Sequence, residues 1–262
     1  MGPSVTNPDH ATLYWLVHHL SGVVTGCERG GNGAMDPKDR VETLIKTKAS
    51  SLHKRVAGND SPAGAGYQVE PAEVEAILAA WPAAPKKVAA GLLDRYGPPN
   101  EATPARLIWH HNGPWKRTVV TRDEALHNFP TPHTDYITQT IDYHVPVEKF
   151  IEIAMFDGSC VPYRTTGEVS ATCDNEAANF LSMNLMHDIV QGRRTVEQAR
   201  QEFAEQTAAW AMDRSAPYTE RLHFTTSDPS ETADPDKAEM AGPLAHQTVE
   251  KVKDTLGIGE AD

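Results

Sequence analysis

The chain predicts an α+β fold, mostly helical, with two β-hairpins and a C-terminal antiparallel helical hairpin. Three observations predict it. Apolar residues recur at helical spacing over 174–190 and again over 195–212. Two runs rich in β-branched and aromatic residues surround Gly-containing turns, RLIWHHNGPWKRTVVTR at 106–122 and SCVPYRTTGEVSATC at 159–173. Prolines stand where helices open, at Pro37, Pro71, Pro85 and Pro146.

The bulk composition bounds the rest. In 262 residues, 39% are apolar and 23% charged, enough to bury a sizeable core. The net charge of -12 opposes generic binding to nucleic acid or to an anionic membrane. The basic pairs Lys116-Arg117 and Arg193-Arg194 are too short for a nucleic-acid footprint. No apolar run is long enough to span a membrane. The stretch Leu13 to Val24 ends in Val24-Thr25-Gly26-Cys27, the shape of a lipoprotein cleavage box. However, no Lys or Arg precedes Arg29, and His18 and His19 interrupt the apolar run. The expectation is an amphipathic helix with Leu13, Leu16, Val17 and Leu20 inward in a cytoplasmic protein; export as a lipoprotein through Cys27 is the alternative.

In order along the chain, residues 1–56 form an N-terminal helical segment and AGNDSPAGAGYQ at 57–68 a linker. The main domain is 69–224, and 225–262 is an acidic, largely disordered tail with one short helix near 244–256. The Gly-rich break at 25–35 lacks the Gly-Lys-Ser/Thr of a phosphate loop. Asp36 caps a helix with Val41, Leu44, Ile45, Leu52 and Val56 on one face. Pro71 opens a helix with Val74, Ile77, Leu78 and Trp81 inward, and a second runs from Pro85 to Tyr96 until Gly97-Pro98-Pro99 stops it. In the first hairpin Pro114 cannot close a two-residue turn at Asn112-Gly113, so a longer loop is expected. Residues 123–132 read as irregular. A helix from Pro132 would place Asp135, Thr138, Gln139 and Asp142 on one face and Ile137 and Ile141 on the other. Pro146 opens a helix with Val147, Phe150, Ile151 and Ala154 inward. Asp174 caps the apolar helix to Val190, Gly192 ends it, and Thr195 with Gln198 makes a capping box for a partner whose inner stripe is Val196, Ala199, Phe203, Thr207 and Trp210.

Chemistry is expected at polar side chains that burial leaves in need of partners. Asn184 and Asp188 fall one turn apart within an apolar stripe, with His187 beside them. They are either held by backbone groups and an Arg, or they face a metal or polar ligand. The middle of the chain gathers His110, His111, His127, His133, Asp135 and His144. His133-Thr134-Asp135 has the His-x-Asp spacing that, with a distant His, makes the facial triad of non-haem iron enzymes. Yet 12 His and 36 acidic residues supply such spacings by chance, and the helices downstream do not suit a jelly roll. No His-Glu-x-x-His, Cys-x-x-Cys or Gly-x-Ser-x-Gly occurs. Trp109 and Trp115, beside Lys116 and Arg117, would make either a ligand wall or core aromatics. A two-residue turn at Thr166-Gly167 would set Cys160 opposite Cys173 for a disulfide, whereas a three-residue loop turns them to opposite faces as free thiols.

The leading expectation is a metal- or small-ligand-binding protein, whether or not an enzyme. Its composite site holds a divalent transition metal, zinc or iron, on His133, Asp135, His187 and Asp188, with Asn184, Trp109 and Trp115 toward the ligand. His110, His111 and His127 compete for the metal. The alternative is a non-catalytic interaction protein, self-associating or not, in which the same His, Trp and Asp residues are structural.

Overall fold

The computed structural model describes residues 37–57, 66–228, 234–240, 242–243 and 246–247. The chain divides into two compact units, Met1–His53 and Lys54–Asp262. The expected boundary after residue 56 falls near this division, and most of the expected linker and of the last helix lies outside the described residues. Helix α1, Pro37–Ala57, carries Val41, Leu44, Ile45 and Leu52 exposed.

The second unit opens with two short helices, α2 (Pro71–Ala79) and α3 (Ala83–Tyr96). They bury Val74, Leu78, Ala89 and Leu92. Gly97, at φ 77°, ends α3 in a conformation that side chains with a Cβ avoid, and its N–H returns to the Leu93 carbonyl. Four strands follow as an antiparallel meander: β1 (Glu101–Thr103), β2 (Arg106–Asn112), β3 (Trp115–His127) and β4 (His133–Asp142). A 3-10 turn and helix α4 (Phe150–Phe156) lead to β5 (Cys160–Tyr163) and β6 (Glu168–Cys173). Strand β6 returns beside β4, so one six-stranded antiparallel sheet runs in the order β1-β2-β3-β4-β6-β5. Helix α5 (Glu176–Val190) crosses this sheet, and α6 (Val196–Ala211) packs back along it.

The mostly helical class with two separate hairpins is therefore overturned: the organising element is a continuous sheet. The error lies at 123–142. Ile137 and Ile141 are four residues apart, a spacing that suits a helical face and an alternating strand equally. Five of the ten residues of β4, Thr134, Ile137, Thr138, Thr140 and Ile141, are β-branched, which favours the strand. Of the segment expected to be irregular, 128–132 carries no strand or helix, while the first half, 123–127, is the end of β3, whose register shifts between Val120 and Ala125. A bulge absorbs the extra residues there.

Both turns also differ from expectation. Asn112 pairs with Trp115, so the first turn is Gly113-Pro114, with Gly113 at φ 64°. Moving the turn by one residue gives the closing donor position to Trp115, which has the N–H that Pro114 lacks. In the second hairpin Tyr163 pairs with Glu168 and Cys160 with Ala171 across a four-residue loop. Cys160 and Cys173 then share a face one pleat apart, and both are buried free thiols.

One face of the sheet is the core. Leu107, Val120, Ile137 and Cys173 are register partners in a row, and the next row runs Trp109, Thr118, Gln139, Ala171 and Cys160. All nine are buried, beneath α3 and α5. The other face carries hydroxyl pairs, Thr138 with Thr172 at 3.0 Å and Thr140 with Ser170 at 2.9 Å. Helix α4 turns Ile153 and Phe156 inward, whereas its Ile151 and Val147 of the preceding 3-10 turn, both expected inside, are exposed. On α6, Ala199 and Phe203 are buried while Trp210 is 49% exposed.

A single carboxylate joins these layers. Asn175, not Asp174, caps α5 by accepting from the Ala178 N–H, and Glu176 begins the helix. Glu176 Oε1 accepts from Trp115 Nε1 at 2.6 Å, Tyr96 Oη at 2.9 Å and Gln139 Nε2 at 2.9 Å, and Oε2 accepts from Arg95 at 2.5 Å. Glu176→Ala orphans three donors that are themselves largely buried. It is expected to lower unfolding free energy by about 3 kcal/mol in urea titration, and Glu176→Gln by roughly half as much.

Candidate metal centre

The bulge in β3 decides which side chains meet. Beyond it His127 pairs directly with His133, and Asp135 with Ala125. In a strand, residues two apart share a face, so His133 and Asp135 point the same way, and His127 joins them from across the ladder. The three lie on the face that carries Ile137 and Gln139, at the end of the core. Each offers one ligand atom, and all these atoms lie within 4.8 Å of one another.

The two oxygens of Asp135 each face an imidazole. Oδ1 is 3.0 Å from His133 Nε2, and Oδ2 is 3.2 Å from His127 Nδ1. The far side of each ring faces an acceptor. His133 Nδ1 donates to the Thr131 carbonyl at 2.8 Å, and His127 Nε2 faces Asp157 Oδ1 at 3.7 Å. A carbonyl cannot donate, so the proton of a neutral His133 sits on Nδ1 and the Nε2 lone pair points inward. Asp135 is only 9% exposed, and burial raises its carboxyl above the usual carboxylate range, against the opposing pull of His127 and His133. Despite the short separations, His127 Nδ1 and Asp135 Oδ1 are buried and without a hydrogen bond among the described residues.

Around this cluster sit residues that motif spacing did not single out for it. Asp157 is 4% exposed; its Oδ1 accepts from the N–H and Oγ of Ser159, and its Oδ2 from Ser182 Oγ of α5 at 3.0 Å. Cys173 Sγ stands 3.3 Å from His133 Nε2. That contact has the look of a nucleophile and its base, but burial drives the Cys173 thiol pKa up, with Asp174 adding to the effect. The thiolate is therefore disfavoured.

The other expected site residues have other partners. Asn184 donates to the carbonyls of Tyr218 at 3.0 Å and Arg221 at 2.7 Å and accepts from the His223 N–H. Asp188 accepts from Arg194 Nε at 3.0 Å, Tyr218 Oη at 3.1 Å and Arg193 at 3.5 Å. His187 Nδ1 meets Tyr143 Oη at 2.7 Å, and its ring stacks on Phe224. These three hold the chain at 216–224 on α5 and do not join the convergent group. Trp109 donates to the Gly97 carbonyl and Trp115 to Glu176, both within the core and not on a ligand wall. His110 pairs with Glu101 on the neighbouring strand at 2.7 Å, and His111 lies next to the first turn at φ 51°.

Comparison with protein-family models, curated proteins and solved structures finds no match to this chain. Functional inference therefore rests on the site itself.

The raised carboxyl of Asp135 has a sign that can be measured. Such a group contributes stability that is full below its unfolded pKa, about 3.9, and is lost as pH rises through the higher folded value. In chelator-treated protein at neutral pH, Asp135→Asn is expected to raise the melting temperature. The gain should shrink as pH falls toward about 4, where the parent carboxyl is protonated too.

Proposed function

We propose that this protein binds a divalent transition metal ion on His127, His133 and Asp135, and that the ion assists chemistry on a small molecule. The observation that carries the reading is the polarity of the two rings. Each imidazole presents one nitrogen to an acceptor outside the cluster and the other to Asp135, while inner atoms of His127 and Asp135 lack hydrogen bonds. Metal-bound histidines are oriented in this way, by a carbonyl or carboxylate on the distal nitrogen. Atoms bound at about 2.1 Å to one ion stand roughly 3.0–3.4 Å apart; His133 Nε2 is 3.0 Å from Asp135 Oδ1 and His127 Nδ1 3.2 Å from Oδ2, while the three ligand atoms as a set lie within 4.8 Å of one another.

Two imidazoles and one carboxylate suit zinc with an open fourth position, or iron in a facial triad. Bound there, the ion would act as a Lewis acid or lower the pKa of a bound water. The chain's own part is to hold three donors, with the Thr131 carbonyl setting the His133 tautomer, Asp157 facing the outer nitrogen of His127, and the nearby apolar wall limiting water.

No described helix is long and apolar enough to cross a membrane. The free thiols Cys160 and Cys173 support a reducing, cytoplasmic setting. Cys27, on which the lipoprotein alternative rests, lies outside the described residues.

Elemental analysis of untagged protein is expected to find close to one transition metal ion per chain, lost in His127→Ala and His133→Ala and retained in His187→Ala. Affinity should weaken as the solution is acidified, because protons compete with the ion for its ligands. Metal-free parent protein whose melting temperature ignores added zinc and iron would overturn the reading and leave the interaction alternative.

A further inference from the structure

A pocket adjoins the cluster and includes His133 in its wall. Cys173 stands beside it there, and Pro130, Leu181, Phe203 and Trp210 contribute apolar surface. The Cys173 sulfur in that wall is 3.3 Å from His133 Nε2, the nitrogen that faces Asp135. The pocket wall thus includes one of the three candidate ligand residues, His133, and borders the cluster at that ring. Its lining is mainly apolar and, among the described residues, contains no Lys or Arg; its one carboxylate, Asp174, accepts from the Asn175 side-chain amide.

We propose that this pocket binds the short aliphatic tail of an uncharged small molecule whose oxygen-bearing head reaches the ion. The head-group half of the proposal rests on the metal reading above. Charge selects the ligand class. With no cationic side chain in the described lining and Asp174 beside it, an anionic ligand has no partner apart from the ion, while a cation would be repelled by that ion. Size selects the tail. The free space is about 70 Å³, roughly half of an apolar cavity that holds benzene, so three or four carbons fit and an aromatic ring does not. The elements agree with this use: Leu181 comes from α5, Phe203 and Trp210 from α6, and His133 from β4. The helical hairpin thereby forms a wall over the open end of the sheet's polar cluster.

The test uses full-length protein loaded with cobalt(II), with acetohydroxamate, propionohydroxamate, butyrohydroxamate and benzohydroxamate as probes sharing one metal-binding head. Calorimetry should show affinity rising about fourfold per added methylene through butyrohydroxamate and no comparable gain for benzohydroxamate. Ala178→Leu, which fills the pocket from α5, should abolish the chain-length gain while leaving acetohydroxamate affinity unchanged; Thr207→Leu, from α6, is the second filling variant. Cobalt bound with flat affinities across the series, or a gain that survives both variants, overturns the pocket proposal. Failure of the metal reading is distinct, because no cobalt ligand-field spectrum then appears. In that case methyl NMR of Leu181 with butyramide against acetamide still reads the tail: shifts with butyramide alone support the pocket, and no shifts overturn it.

Discussion

The carboxylate of Glu176 is the constraint on which the layers of this domain depend. It stands in the first turn of α5, where a negative charge is favoured by the helix dipole, and it receives donors from α3, β3 and β4. Trp115 and Gln139 are buried, so their donors have few alternatives to this acceptor. Gln139 extends the network, since its Oε1 accepts from Asn179 one turn further along α5, and Asn179 also donates to the Ile137 carbonyl. The start of α5 is thereby fixed in rotation and height over the central strands. Apolar packing alone would hold the helix on the sheet with less definition, because dispersion is not directional.

That placement carries through to the candidate site. With α5 set by its first turn, Ser182 meets Asp157, and Asp157 faces the outer nitrogen of His127. Leu181, the residue before Ser182, lines the pocket beside His133. The His127–His133–Asp135 cluster and the pocket beside it are products of the same helix position, although neither contains Glu176. The far half of α5 serves the other side of the domain. There Asn184, His187 and Asp188 pin the returning chain at 216–224, which closes over the helical hairpin.

Helical features were the legible part of this fold. The capping box of Thr195 and Gln198 forms, and Gly192 follows α5 at φ 66°. Both signals are local, set by side chains within three or four residues of the backbone groups they serve. Strand β4 was illegible because its most apolar residues, Ile137 and Ile141, obey both periods. The register of β3 against β4 was less legible still, since it depends on a bulge and not on any residue type. The site shared that fate. His133 and Asp135 are two apart, which separates them widely around a helix but unites them in a strand. His127 becomes their partner only through the shifted register. Its role was hidden in pairing geometry and not in motif spacing.

Two buried carboxylates show why polar residues in an apolar setting are an ambiguous sign of function. Asp188 and Asp135 are 3% and 9% exposed, so both must be compensated. Asp188 meets two guanidinium groups and a tyrosine hydroxyl, which supply charge and direction together. Among the described residues, no comparable cation from Lys or Arg pairs with Asp135. It meets two imidazoles whose outer nitrogens face other acceptors, and its Oδ1 has no hydrogen bond. Its charge is relieved by a proton on its own carboxyl, which burial favours, or by positive charge placed between the two rings. An ion held between the rings is the reading proposed above, and the two separations to Asp135, 3.0 and 3.2 Å, are what supports it.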